Sequence, residues 1–306
     1  MNNQMTSFYS MGILLCLFTL ASSSSYAIQQ PDSDTLSIGL DRFMPEEKFT
    51  LIAKHLSTQL NVPVKYENFN SLIELTKNQS KYDLIYTNAF GYAYAQVTDL
   101  PFAAFLIRAD KNGDPLTYKS CLITNSASGI TTVEQVKENS DSLDVSFTYA
   151  SSTSGHIVPR IYLSQLIGET LESGFQGVAF ESSHEEIIKK VGEGKTDLGA
   201  CSCYWAQKKA QEDSALKGQI KILWESTPIP HVVWATGNTM NEAMKVPLQQ
   251  AFSTLLENEQ IRTLVMRPDL TAYSSIKDEA FSFLIDQLKK DQELEFYLYY
   301  YESFSE

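Results

Sequence analysis

Six consecutive residues, Ser151-Ser152-Thr153-Ser154-Gly155-His156, bring four hydroxyls, a glycine and an imidazole together, and Pro159 follows three positions on. Proline lacks a backbone N–H and fits only the opening of a helix. The spacing therefore predicts a helix that begins among the hydroxyls, with Ile157, Ile161, Leu166 and Ile167 as its apolar stripe. A helix start exposes unpaired N–H groups and the positive end of the macrodipole, so the chemistry on offer is capture of an anion by hydroxyls and amides. A serine-rich N-cap without any ligand carries the same signature.

Nucleophilic catalysis is the competing chemistry. Cys201 or Ser154 would attack, with His184 or His156 as base. That requires a base within reach and a third group to orient it, and the sequence shows neither, so no enzyme is expected. Beyond the first 27 residues the cysteines are Cys121, Cys201 and Cys203. An odd number leaves at least one thiol unpaired within the chain. Cys201 and Cys203 share a strand face, about 6.6 Å apart at ~3.3 Å per residue. That is the far end of the range a disulfide tolerates, so free thiols are expected there. No CxxC pair is present and the four histidines are scattered, so neither a metal nor a cofactor is expected.

The elements that must position these groups read as α/β. A strand at Leu36–Leu40 precedes a helix with Phe49, Ile52, Ala53 and Leu56 at helical spacing, and a second strand fits Val62–Tyr66. An internal echo follows. Ile73–Asn88 (IELTKNQSKYDLIYTN) and Ile187–Ser202 (IIKKVGEGKTDLGACS) both run helix, polar turn, Lys-x-Asp-Leu, strand. Lys81 matches Lys195, Asp83 matches Asp197 and Leu84 matches Leu198, at one offset of 114. Read as a repeat, the echo predicts two lobes of one architecture. It then places Thr87 and Asn88 of one lobe, and Cys201 and Ser202 of the other, at the carboxyl ends of strands, where open α/β sheets bind ligands. Asp83 and Asp197 are expected to cap turns or helices rather than touch ligand. Leu116–Asn125 and Ile220–Trp234 are expected to cross between the lobes and form a two-crossing hinge. The region of Val246, Leu248, Phe252, Leu255 and Leu256 reads as helix, and the aromatic run 296–301 as a strand or helix end docked on the first lobe.

The first 27 residues resemble a secretory signal: a short apolar core at Gly12–Leu20 and a small-x-small site at Ser25-Tyr26-Ala27, without Lys or Arg ahead of the core. An exported protein, soluble in the periplasm after cleavage, is expected. The formal net charge is −13, which argues against nucleic acid as a partner. An anionic ligand must then be held by neutral hydrogen bonds and helix dipoles, not by the field of the whole protein.

Three segments in order, SSTSGHIVP (Ser151–Pro159), SSHEEIIKKVGEGKTDLGA (Ser182–Ala200) and STPIP (Ser226–Pro230), resemble the periplasmic substrate-binding proteins of phosphonate, phosphite and phosphate ABC transporters, the PhnD-like family. The resemblance covers most of the chain after the leader. It implies a type II-like periplasmic-binding-protein fold: two α/β lobes, each a mostly parallel sheet flanked by helices. The corresponding boundaries are 1–27 for the signal, 28–118 with 231–306 for lobe 1, and 119–230 for lobe 2. It also implies that Ser152, Thr153 and Ser154 wrap the oxyanion, that His184 matches a family histidine and that Tyr92 matches a family tyrosine. His156 has no strict counterpart and falls at the pocket edge or in solvent. Asn88 and Ala89 replace a family Gly-Pro, and Asn70 replaces a ligand-side tyrosine. The acids that hold an aminoethyl group in some members are missing, from Cys201–Trp205 and after Pro230. The resemblance thus keeps the oxyanion end and loses the amine end, where Cys203, Tyr204, Trp205 and Val232 would form an apolar or weakly polar wall.

The expected ligand set is Ser152, Thr153, Ser154, His184, Tyr92, Asn88, His156 and Cys201. The expected function is capture of a small oxyanion for the membrane permease of an ABC importer. The alternatives are a ligand sensor coupled to a membrane partner and a Cys/Ser hydrolase.

Overall fold

The computed structural model describes residues 35–41, 46–97, 102–265, 271–290 and residue 300. The leader lies outside the described residues, as does the aromatic run 296–301 apart from Tyr300. In chain order the strands are β1 (Leu36–Asp41), β2 (Val64–Phe69), β3 (Leu84–Thr87), β4 (Ala103–Ala109), β5 (Thr117–Tyr118), β6 (Ser120–Asn125), β7 (Asp144–Phe147), β8 (Gly177–Phe180), β9 (Leu198–Ser202), β10 (Ile220–Glu225), β11 (Ile229–Pro230), β12 (Val233–Thr236) and β13 (Ala272–Ser275). They form a six-stranded sheet, β13-β4-β12-β3-β1-β2, and a five-stranded sheet, β10-β6-β9-β7-β8. β5 and β11 pair antiparallel with each other between them, Ile229 against Tyr118 and Pro230 against Thr117. The two segments expected to cross are therefore a pair of strands side by side.

The echo in the sequence is an echo in space. β1 lies between β2 and β3, all parallel, and β7 lies between β8 and β9, all parallel. Antiparallel strands then extend each sheet, β12 beside β3 and β6 beside β9. The repeated aspartates act alike. Asp83 Oδ2 accepts the Ser37 N–H (2.9 Å) and hydroxyl (2.6 Å), and Asp197 Oδ2 accepts the Asp144 N–H (2.8 Å). Each carboxylate, placed just before the third strand of its unit, ties that strand to the first, and neither lines the site described below.

The helix Glu46–Leu60 buries Phe49, Ile52, Ala53, Leu56 and Leu60, the i, i+3, i+4, i+7 spacing of one face. That face packs with Tyr86, Trp234 and Phe252 on one side of the first sheet. Phe90, Tyr92 and Phe281 fill the other side. Each such fully buried side chain contributes about 1.5–3 kcal/mol relative to exposure. The helix Glu242–Leu255 buries Leu248, Phe252 and Leu255 and leaves Val246 exposed.

The cysteines depart from expectation. Cys121 of β6 is bridged to Cys203, with Cα atoms 5.0 Å apart, and among the described residues Cys201 alone keeps a free, buried thiol. Cys121 and Cys201 are register partners across β6 and β9. Cys203 lies two residues beyond, where β9 has given way to a helix. The turn into that helix carries Cys203 toward Cys121, which strand geometry alone does not anticipate. Among the described residues no helix is long and apolar enough to cross a membrane.

Candidate functional site

The hydroxyl-rich segment folds as the spacing requires. Ser152 is an extended N-cap whose side chain accepts the Gly155 N–H at 3.1 Å. Thr153–Ile157 form a π-helical turn, in which the Ile157 N–H reaches back to the Ser152 carbonyl (3.0 Å). The α-helix Val158–Ile167 continues from it with Pro159 in its first turn. Gly155 is demanded by close approach: a Cβ there would stand 2.1 Å from Thr148 Oγ1 and 2.9 Å from the His184 ring.

The start of this helix meets another from the first sheet. Asn88 caps the helix Ala89–Gln96, its Oδ1 accepting the Gly91 N–H (2.7 Å) while its amide donates to the Ser151 carbonyl (2.9 Å). The Phe90 N–H donates to the Thr153 hydroxyl oxygen (3.0 Å). Asn88 and Ser202, partners in the sequence echo, are each the N-cap of the helix that follows a strand.

A cavity of about 360 Å³ opens at these helix starts. The second-sheet side contributes Tyr149, Ser152, Thr153, Ser154, His184, Ser202 and Trp205, and the first-sheet side Tyr86, Asn88, Arg108, His231 and Val232. Tyr118 of the crossing strand closes the wall between them. Among the described residues no carboxylate lines it.

The hydrogen bonds aim donors inward. Ser152 and Thr153 each spend an acceptor lone pair on a backbone N–H, which leaves their O–H protons to donate. The Tyr118 hydroxyl is pushed up to about 12 by burial, partly offset by hydrogen bonds with Thr153 and Ser154, and it stays protonated. His184 is the first residue of the helix His184–Gly192. Its Nδ1 accepts the Ser202 N–H at 3.2 Å, which assigns the ring proton to Nε2. Burial lowers its pKa to about 4, so the imidazole is neutral near pH 7 and serves as a donor through Nε2. Hydroxyls and one neutral imidazole therefore converge at a helix start, an arrangement that can surround an oxyanion with dipoles.

Of the eight expected ligand residues, the cavity is lined by Ser152, Thr153, Ser154, His184 and Asn88. Three stand elsewhere. Tyr92 is wholly buried, its hydroxyl donating to Asp278 Oδ1 (2.6 Å) and accepting from Gln96 (2.7 Å) and the Ala104 N–H (2.9 Å). It fastens its helix to the segment Asp278–Phe281. His156 is wholly buried, its Nδ1 against the Ala150 carbonyl (2.6 Å) and its Nε2 accepting from Arg160 (2.7 Å). Arg160 in turn pairs with Glu172 at 2.5 Å. Burial and the nearby guanidinium hold the His156 pKa well below its ordinary value. It braces the helix start from behind. Cys201 packs among Ile187, Ile188 and Val191 on the helix-covered face of its strand, where burial pushes the thiol up to about 12. Of the expected apolar wall, Trp205 and Val232 line the cavity and Cys203 and Tyr204 do not.

Tyr86, Arg108, Tyr118, Tyr149, Ser202 and His231 were outside the expected ligand set. Ser202 had a signal, as the echo partner of Asn88. Arg108 and Tyr86 had none, because each reads as one residue of an ordinary strand. Their association is tertiary: an Arg108 terminal nitrogen donates to the Tyr86 hydroxyl at 2.8 Å.

The profile of the family described as "ABC transporter, phosphonate, periplasmic substrate-binding protein" matches residues 45–281. The "Probable ABC transporter phosphite binding protein PhnD1" of Prochlorococcus marinus is 24% identical over 183 residues, 58% of this chain and 60% of that protein's length. The fold is shared with a binding-protein component of an ABC phosphonate transporter from Pseudomonas aeruginosa (19% identity, 85% of this chain and 87% of that one, TM-score 0.66). It is shared also with PhnD1 of Prochlorococcus marinus in complex with methylphosphonate (18% identity, 84% and 99%, TM-score 0.64).

Proposed function

Because the chain belongs to the family of periplasmic substrate-binding proteins of phosphonate ABC transporters, we propose that it is an exported receptor that captures a small phosphorus oxyanion and delivers it to the permease of an ABC importer. The observation that carries the reading is the convergence of Ser152, Thr153, Ser154 and His184 Nε2 on one cavity at a helix start. Such a site binds a tetrahedral oxyanion with neutral donors, each bond contributing about 1.5–3 kcal/mol when the acceptor is charged. The lack of carboxylates among the described lining residues suits an anion. The leader supports export to the periplasm, and the paired crossing strands β5 and β11 support a hinge between lobes 28–118 with 231–306 and 119–230.

Hydrolysis has no observation in its favour. Cys201 faces the core with its thiol protonated, and His184 Nδ1 is already engaged with a backbone amide.

The test is a thermal-shift and calorimetric panel of phosphate, phosphite, methylphosphonate, sulfate and acetate. A ligand at a hundred times its dissociation constant stabilises the folded state by about 2.7 kcal/mol. At least one phosphorus oxyanion is expected to raise the melting temperature, with sulfate and acetate weaker. No response to any phosphorus oxyanion defeats the proposal.

A further inference from the structure

We propose that the ligand of this site is a phosphorus oxyanion that bears a planar aromatic ring, and that Trp205 is the residue that selects for the ring. The inference rests on the oxyanion reading of the Ser152–Ser154 end and extends it to the rest of the cavity. The volume poses the question. The space is about 360 Å³, within the range of cavities that take whole organic molecules. A phosphonate group with one carbon displaces roughly three water molecules, or ~90 Å³ at ~30 Å³ each. Most of the cavity is then left for a substituent.

Much of the lining beyond the oxyanion donors is aromatic. Tyr86, Tyr118, Tyr149, Trp205 and His231 all contribute to it. Two of these rings begin where the donors end. The Tyr118 hydroxyl is hydrogen-bonded with Thr153 and Ser154, so its ring continues the wall from them, and the His231 ring follows with centroids 5.3 Å apart. Trp205 sits in the first turn of the helix Cys203–Glu212, whose cap Ser202 gives its N–H to His184 Nδ1 at 3.2 Å. A substituent that leaves an oxyanion held by Thr153, Ser154 and His184 therefore has Tyr118 and Trp205 as its next neighbours.

The Trp205 ring is held in place. Tyr204 lies edge-on to it with centroids 5.5 Å apart, and Lys208 Nζ stands 4.8 Å from its centroid. A positioned indole offers a flat ring an offset or edge-to-face partner, which a puckered alkyl ring of similar size cannot match. Arg108 is engaged by the Tyr86 hydroxyl at 2.8 Å, and a guanidinium plane accepts an aromatic neighbour. Water against these ring faces finds few partners, so its displacement by an apolar ring favours binding.

Isothermal calorimetry compares matched pairs on the full chain: phenylphosphonate against cyclohexylphosphonate, benzylphosphonate against cyclohexylmethylphosphonate, with methylphosphonate alongside. At least one aryl compound is expected to bind about tenfold or more tightly than methylphosphonate, and at least about threefold more tightly than its cyclohexyl match. In Trp205→Leu the aryl-to-cyclohexyl ratio falls to about one, and Trp205→Phe retains part of it. Measurable binding of methylphosphonate with no gain from either aryl group overturns the inference and leaves the oxyanion reading standing. Binding of none of these ligands overturns both. Cyclohexyl compounds that bind as tightly as their aryl matches show a cavity that selects bulk, and overturn the selection of a ring. A preference that survives in Trp205→Leu overturns the assignment to Trp205. Should that variant fail to fold, Trp205→Met takes its place in the same comparison.

Discussion

At the scale of single residues, the candidate site is prepared by backbone groups that occupy the acceptors of its hydroxyls. Thr153 is the clearest case. Its oxygen takes the Phe90 N–H at 3.0 Å, so one hydroxyl joins the two helix starts and still has a proton to donate. Thr153→Val preserves shape and removes both functions. It is expected to weaken phosphorus-oxyanion binding tenfold or more, the equivalent of about 1.4 kcal/mol, and unchanged affinity in calorimetry would remove Thr153 from the ligand shell. His184 and His156 lead to a prediction about pH. Both are held below the ordinary histidine pKa of about 6.5 in the folded state. The unfolded chain therefore takes up protons first as pH falls. Their contribution to stability is complete above about pH 6.5 and declines toward pH 4. The urea midpoint should be lower at pH 5 than at pH 7, and the difference should shrink in His184→Gln. A midpoint of equal value at both pH values in the wild type would contradict the neutral, buried assignment.

At the scale of elements, the second sheet carries a covalent link that the first has no equivalent for among the described residues. The Cys121–Cys203 bridge joins β6 to the first turn of the helix that bears Trp205, across 82 residues of sequence. A loop of that length loses chain entropy equivalent to about 4–5 kcal/mol in the unfolded state. The variant Cys121→Ala with Cys203→Ala is expected to melt several degrees lower than the wild type. Reduction by dithiothreitol should reproduce the loss once the bridge opens. No change under either condition would mean that the link adds nothing to stability. Cys201, shielded among aliphatic side chains with its thiol protonated, is expected to resist alkylation until the chain unfolds.

At the scale of the molecule, residues of both sheets line one cavity, and the chain passes between the sheets in β5 and β11. A ligand that touches both walls favours whichever arrangement brings them together. The bonds of Asn88 to Ser151 and of Phe90 to Thr153 already span the two sides. Small-angle scattering is expected to show a smaller radius of gyration with saturating ligand than without. Identical profiles would count against hinged closure.

The order of elements, the repeat and the hydroxyl-rich helix start that lines the cavity were legible in the sequence because each is a local pattern. A proline five positions beyond a hydroxyl cluster fixes a helix start, and Lys-x-Asp-Leu at one offset marks two equivalent strands. The fate of Tyr92, His156 and Cys201 was not legible, because a residue type does not say which way its side chain faces. Asp278 draws the Tyr92 hydroxyl into the core from 186 residues away, Arg160 and the Ala150 carbonyl close both nitrogens of His156, and the alternation of β9 turns Cys201 toward its helices. The disulfide partner and the far wall of the cavity were decided the same way. Cys121 finds Cys203 only once β6 lies beside β9. Arg108 reaches the cavity because β12 inserts between β3 and β4, which sets its backbone about 10 Å from that of the Asn88 cap. Neighbourhood along the chain is written in the sequence; neighbourhood across a sheet exists only after the strands have chosen their partners.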